Sequence, residues 1–408
     1  MMNLLEKSDK DELIANWSDA DVEAEISRIQ LIIQEWALSK DLWFDCGFTS
    51  YLERVGAEPG SPPTVTMLYS DGDFIRCISG DLCAGLDIEF FELLEQQGYF
   101  FETIDGATIA IYPDDEVLSK KFEKYFHWQW VCSLVKEDTA DVYDELYSHF
   151  VNNPDDLHKL EWREFEILLF RIFQNHGFKA LLGPGRGDEG VDIRLWQEDP
   201  LGDVLTVVQA KRYAPHIAID HTQVAALFGV KYDQEADKAL FITTSKYAPV
   251  AKRFAARHTD VLELAEKENI IDWCSKATDG VIADKSSLLS PKNVEAIIAQ
   301  LSGKPDKRIV HASWGYNMTH NDFAIVVKES KHAALLMGLT NHTLNDDGYG
   351  QMGNETPILN PELSQSLLRI DNVWRAKRSE KNGDVTYWDG SRLFSVWDGK
   401  PRNFNYLD

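Results

Sequence analysis

Residues Leu181 to Tyr213 (LLGPGRGDEGVDIRLWQEDPLGDVLTVVQAKRY) leave a chain few ways to fold. Four glycines, Gly183, Gly185, Gly187 and Gly190, predict a turn that delivers Asp192 into an apolar strand over 191–196. A polar loop over 197–203 leads to a second predicted strand, 204–213, which carries Gln209 and Lys211. Side chains alternate along a strand, so Gln209 and Lys211 share a face and Ala210 points away from it. If the two strands pair as a hairpin, Asp192 lies beside that polar pair. A carboxylate, an amide oxygen and an ammonium on one half-buried sheet are costly unless they bind something. A divalent cation and a phosphate would satisfy all three.

GDEGVDI followed by VVQAKRY resembles the Mrr-like restriction endonucleases, a branch of the PD-(D/E)xK nuclease superfamily whose second element reads QxK. Upstream, LEWREFEILLFRIFQNHGF is similar to the first helix of that family, with Glu166 at its acidic position. Downstream, QVAALFGV and ALFITTSKYAPVAKRFA are similar to its next helix, strand and helix. The resemblance covers about residues 158 to 275, and the outer thirds of the chain lie outside it. It implies an α-β-β-α-β core with a mixed sheet and a metal-dependent hydrolysis of phosphodiester bonds in DNA. Asp192 would be the anionic metal ligand, with the Gln209 amide oxygen, the Ala210 carbonyl and Glu166 completing a hard-oxygen set suited to Mg²⁺, for which Mn²⁺ would substitute. Lys211 would position the attacking water and offset charge on the phosphoryl group. Most of the superfamily has Glu or Asp where Gln209 stands, and this neutral ligand implies weaker metal binding. Gln223 would face the site.

The flanks supply further candidates. Residues 162–175 predict a helix whose Phe165, Leu168, Leu169, Ile172 and Phe173 recur at i, i+3, i+4, i+7 and i+8, with Glu166 at the edge of that stripe. Gly177 stands where a left-handed helix cap is expected. A helix over 219–232 between the QAK strand and the ITTS strand (239–243) implies a crossover and therefore parallel pairing there. Thr244 and Ser245 end that strand, where hydroxyls can meet phosphate; for Thr243 ordinary backbone bonding is expected. Lys246, Lys252 and Arg253 begin a basic patch suited to DNA backbone contact. Arg212 and Arg186 are further DNA-contact candidates, each with a structural alternative.

A chain of 408 residues exceeds one ordinary core, so two or three domains are expected. No window approaches the roughly eighteen uninterrupted apolar residues of a membrane span, and the N-terminus lacks a signal pattern, so a cytoplasmic protein without a membrane anchor is expected. The five cysteines are scattered and include no CxxC, which argues against a disulfide framework or structural zinc. The net charge of −26 is unevenly placed. Residues 1–150 hold about 10 basic and 31 acidic side chains, whereas 151–280 hold about 16 and 21. Two readings stay open: solubility, or an acidic domain that restrains a nuclease until a ligand or activating protein displaces it.

Residues 1–115 read as a small α+β domain. A helix is predicted over 21–38, another over 88–97, and hairpins at Asp71-Gly72 and Asp105-Gly106. Trp17, Trp36 and Trp43 fit a core better than a surface. Residues 116–158 read as a helical connector, with His127 and His149 structural. Residues 159–280 are the nuclease-like domain. From about Thr278 a linker is predicted, then a short helix over 294–301. Residues 305–408 read as mostly β, with turns at Asn382-Gly383 and Asp389-Gly390; its tryptophans fit a core, with base stacking as the sharper alternative. His311 and His320 lack metal-ligand spacing. The expectation is thus an α/β nuclease fold flanked by two small domains, acting on DNA as a homodimer or higher even oligomer in restriction or anti-phage defence. The alternatives are a nucleic-acid-binding protein with a gated or inactive nuclease fold, or a nuclease acting on RNA.

Overall fold

The computed structural model describes residues 12–51, 63–80, 82–136, 144–185, 190–197, 202–301, 307–315, 318–330, 332–359, 373–381 and 383–407. Arg186, Gly187 and Asp188, most of the 197–203 loop, Asn382 and the first eleven residues lie outside them. The chain divides into two compact units, Met1–Trp130 and Val131–Asp408.

In the first unit, helix α1 (Asp19–Ser39) begins at a capping box in which Ser18 and Asp21 bond each other's backbone N–H groups. Its buried Val22, Ile29, Ile33 and Trp36 pack with Phe74 and Phe90. Trp36 lies 5.0 Å from Phe90, ring to ring, and is a core residue, as its helical spacing suggests. The antiparallel sheet has the order β1 (Cys46–Thr49), β2 (Thr66–Ser70), β4 (Thr108–Pro113), β3 (Tyr99–Asp105). The β3–β4 hairpin turns at Asp105-Gly106 as expected. The hairpin expected at Asp71-Gly72 does not form: Phe74–Ile78 is a short helix, α2. Phe74, Ile75, Cys77 and Ile78 are all buried, a helical spacing that a half-exposed strand could not satisfy. Against the cysteine reading, Cys77 and Cys83 form one local disulfide. Helix α3 (Leu86–Glu95) follows, and α4 (Glu116–Lys136) runs across the boundary between the units.

The second unit continues with α5 (Glu145–Asn152) and a 3-10 turn (Pro154–His158). Helix α6 spans Trp162–Asn175, the range its periodicity predicts, and its entire apolar stripe is buried. Gly177 takes φ 84°, the left-handed cap geometry. A five-stranded mixed sheet follows in the order β11 (Leu262–Ala265), β9 (Lys238–Thr243), β7 (Val204–Lys211), β6 (Ile193–Gln197), β5 (Lys179–Leu182). β5, β6 and β7 are antiparallel neighbours. Helix α7 (His221–Asp233) carries the chain across to β9, which pairs parallel with β7 as the crossover argument requires. β5 escaped the sequence reading, being only four residues long with none of them buried. Two short strands, β8 (Ala218–Ile219) and β10 (Lys246–Tyr247), pair parallel outside this sheet, and helix α8 (Pro249–Ala255) precedes β11.

The expected linker is instead helix. α9 (Lys267–Leu288) is continuous through 278–288, because Ile270, Cys274, Ala277 and Val281 extend one buried stripe at helical intervals. α10 (Pro291–Leu301) follows after Leu289 and Ser290. Beyond α10, β12 (Ile309–Trp314), β13 (His320–Glu329), β14 (Ala333–Leu339), β17 (Val373–Lys381), β18 (Asp384–Trp388) and β19 (Leu393–Val396) close into a barrel. β15 (Asn341–Asp346), β16 (Met352–Pro357) and β20 (Arg402–Asn405) form a small sheet beside it. His311 of β12 bonds the Asn321 side chain at 2.8 Å, and Asn321 in turn donates to Glu355 of β16 at 2.9 Å. His311 is therefore a structural bridge, and burial lowers its pKa. Among the described residues no helix is long and apolar enough to cross a membrane.

Candidate active site

β6 and β7 form the expected hairpin, with Ile193 opposite Val208 and Leu195 opposite Thr206. The Asp192 N–H, one residue before β6, donates to the Val208 carbonyl at 2.9 Å, which ties Asp192 to β7 at the end of that ladder. Gln209 and Lys211, two residues apart on β7, share one sheet face. Asp192 is only 4% exposed, and its Oδ2 accepts the Ala210 N–H at 2.7 Å. The N–H and C=O of one strand residue point to the same side, so the Ala210 carbonyl is directed toward the edge where Asp192 lies. Gln209 and Lys211 are half-buried, and among the described residues no ion pair engages Lys211. A buried carboxylate, an amide and a carbonyl oxygen are the donor set that a hard divalent cation takes, so these residues fit one. Among the described residues no group of three or more His, Cys, Asp or Glu side chains has metal-binding geometry.

Two glycines make this corner possible. Gly183 donates its N–H to the Asp192 carbonyl at 2.7 Å, and a Cβ there would lie 2.9 Å from the Val191 carbonyl oxygen. Gly190 takes φ 83° immediately before the strand, with the Gln209 amide nitrogen 3.6 Å from where a side chain would begin.

Glu166 on α6 is 4% exposed and paired with Arg163, whose Nη1 meets Oε2 at 2.7 Å. The other guanidinium nitrogen, Nη2, donates to the Gly183 carbonyl at 2.7 Å. Arg163 thus joins the helix carboxylate to the turn that bonds Asp192. It went unnoticed in the sequence, although its position three residues before Glu166 is an ion-pair spacing.

The far end of β7 is clamped through Tyr213. The Thr244 hydroxyl donates to the Tyr213 carbonyl at 2.8 Å and accepts its N–H at 3.1 Å. His158 Nδ1 donates to the same carbonyl at 3.0 Å, which assigns the proton to that nitrogen. Arg212 donates to the His158 carbonyl at 2.7 Å, so it braces the strand against the 3-10 turn. Thr243 donates to the Lys211 carbonyl at 2.8 Å, the backbone bonding expected of it. Thr244 and Ser245, expected at phosphate, are buried, and the Ser245 hydroxyl donates to the Ile217 carbonyl. Both hydroxyls thus donate to backbone carbonyls, which latches this strand end to residues 213 and 217. Gln223, expected to face the site, closes the α7 capping box with Asp220 and donates to the Tyr213 hydroxyl at 3.1 Å. Of the basic patch, Lys246, Lys252 and Arg253 are exposed, and Lys252 is paired with Glu266 at 2.7 Å.

Residues 157–274 match the restriction endonuclease family through its Mrr-type catalytic domain. An uncharacterized protein, y4cE, of Sinorhizobium fredii is 24% identical over 174 residues, which is 40% of this chain and 43% of that protein. The MspJI restriction endonuclease, solved in complex with a 27-mer oligonucleotide, is 19% identical over 33% of this chain and 31% of its own, with a TM-score of 0.26. The DNA modification-dependent restriction endonuclease AspBHI is 14% identical over 46% of this chain and 60% of its own, with a TM-score of 0.25. The chain therefore spans less than two thirds of each of these proteins.

Proposed function

We propose, from the match of residues 157–274 to the restriction endonuclease family, that the protein is a divalent-metal-dependent endonuclease that hydrolyses phosphodiester bonds in DNA. The observation that supports this reading is the Asp192 carboxylate, buried and bonded to the Ala210 N–H at 2.7 Å, beside the strand whose Gln209 and Lys211 share a face. Asp192, the Gln209 side-chain oxygen and the Ala210 carbonyl would hold the cation, and the Arg163-bound carboxylate of Glu166 would orient the corner from α6. When bound, Mg²⁺ or Mn²⁺ offsets charge on the phosphoryl oxygens. Lys211 donates from its ammonium to the attacking water and to the phosphoryl oxygen that gains charge. Lys246 and Arg253 contact the DNA backbone.

One such site cuts one strand, so a double-strand break calls for two sites related by a twofold axis, and we expect a homodimer or higher even oligomer. Restriction or anti-phage defence in the cytoplasm is the role we assign. The test is purified protein on plasmid DNA with and without Mg²⁺ or Mn²⁺, beside Lys211→Ala. Metal-dependent nicking or linearisation that the variant lacks supports the reading; equal cutting by both places the active site elsewhere. Light scattering on the same preparation checks assembly, and a strict monomer that makes double-strand breaks in single encounters rules out the paired-site arrangement.

A further inference from the structure

At the opposite end of the central strands, and on the opposite sheet face from Lys211, lies a cavity of about 240 Å³. Thr206 of β7 and Gln197 of β6 line it, so the strands that carry the candidate catalytic groups at one end form its floor at the other. Phe178 and Trp273 wall it, each packed against Phe173, with ring centroids 6.0 and 5.6 Å apart. His176, just past the end of α6, also lines the space, and its Nε2 is buried without a hydrogen-bond partner. Native buried nitrogen atoms are nearly always paired, so this one points to a missing partner.

We propose that this cavity binds a nucleobase-type ligand: one planar heteroaromatic ring system, free or as a nucleoside or mononucleotide. Three features select that chemistry. The aromatic walls offer flat surfaces for stacking. His176, Gln197 and Thr206 together present both donors and acceptors, which a plain hydrocarbon would leave unsatisfied and a base edge would not. The volume falls below the roughly 300 Å³ at which pockets for drug-sized ligands begin, which limits the occupant to one ring system with a small substituent. Lys238 and Glu263 also line the pocket with opposite charges, so a neutral ligand or one with a single phosphate near Lys238 is admitted and a polyanion is not. Burial and the neighbouring Lys276 lower the His176 pKa, which keeps its imidazole neutral and able to donate or accept.

This inference does not depend on the nuclease reading, because its test measures binding rather than cleavage. The full chain is titrated by calorimetry and ligand-observed saturation-transfer NMR with adenosine, guanosine, cytidine, uridine and thymidine, and with their 5′-monophosphates. At least one should bind with a Kd below about 1 mM, the weak end of measurable specific affinity. His176→Phe keeps the ring and removes the nitrogen; it should weaken binding at least about tenfold while the melting temperature holds or rises. Thr206→Phe fills the cavity and should abolish binding even if His176→Phe proves poorly folded. A monophosphate that binds more tightly than its nucleoside, with the difference lost in Lys238→Ala, identifies a nucleotide; equal binding identifies the base alone. Failure of all ten probes, or undiminished binding in both folded cavity variants, overturns the proposal.

Discussion

At the scale of single residues, Asp192 serves two purposes. Its Oδ2 satisfies the Ala210 N–H, and it is the carboxylate of the proposed metal site. Asp192→Ala would confound them, because an unpaired buried N–H costs about 1–3 kcal/mol. Asp192→Asn retains an acceptor for Ala210 while removing the charge. Both Asp192→Asn and Lys211→Ala should cut at least about a hundredfold more slowly, the scale of losing one transition-state contact. Circular dichroism should show both folded, and near-wild-type cleavage by either would remove that residue from the proposed machinery. Thr244 acts at one remove. Its hydroxyl holds both backbone groups of Tyr213, two residues past Lys211. Thr244→Val keeps the shape and loses both bonds, and we expect kcat to fall about tenfold with KM little changed, since small misplacements of a positioned group are costly. A rise in KM alone would assign Thr244 to DNA binding instead.

At the scale of elements, the corner between β5 and β6 is the part least tolerant of change. A Cβ at Gly183 would press on the carbonyl oxygens of Val191 and Asp192, at 2.9 and 3.0 Å, so the backbone there would have to shift. Gly183→Ala should therefore destabilise the domain by roughly 1–3 kcal/mol, the usual cost of overpacking. It should also reduce cleavage further than that loss of stability explains, because the same carbonyl of Asp192 accepts the Gly183 N–H. Urea denaturation beside single-turnover cleavage separates the two effects. Wild-type behaviour in both would mean that the turn has slack the observed distances do not allow.

At the scale of the whole molecule, charge is the dominant asymmetry. Residues 1–150 carry about 21 more acidic than basic side chains, against about 5 for 151–280. Such a charge opposes a polyanion only within a Debye length, about 8 Å at physiological ionic strength. Our proposal is that the acidic part restrains DNA binding until a ligand or activating protein relieves it. The boundary at Trp130 matters for testing this. A cut at 115 would strip Leu118 and Phe122 from the core they share with Phe74 and Phe90. A chain beginning at Val131 avoids that and should bind non-specific DNA more tightly, with a steeper salt dependence, than the full chain. Coincident isotherms at two salt concentrations, from a folded truncation, would end the restraint idea.

Local chemistry was sufficient to identify the α6 stripe and the two central strands from the order of residues. Strand alternation and helical spacing are properties of neighbouring residues, and the hairpin loop is short enough that its partners are nearly forced. Other features depend on residues far apart in the chain. DGVIADKSSLL looks like a linker by its polar content, yet it is helical because Ala277 and Val281 continue a stripe begun at Ile270. SDGDF looks like a hairpin turn, but both edges of β2 are already taken by β1 and β4, so the next residues coil into a helix. Thr244 and Ser245 could be read as phosphate contacts until folding brought the Tyr213 and Ile217 carbonyls to their hydroxyls. A hydroxyl bonds the partners that the folded chain sets within its reach, and for residues far apart in sequence that is decided by tertiary structure.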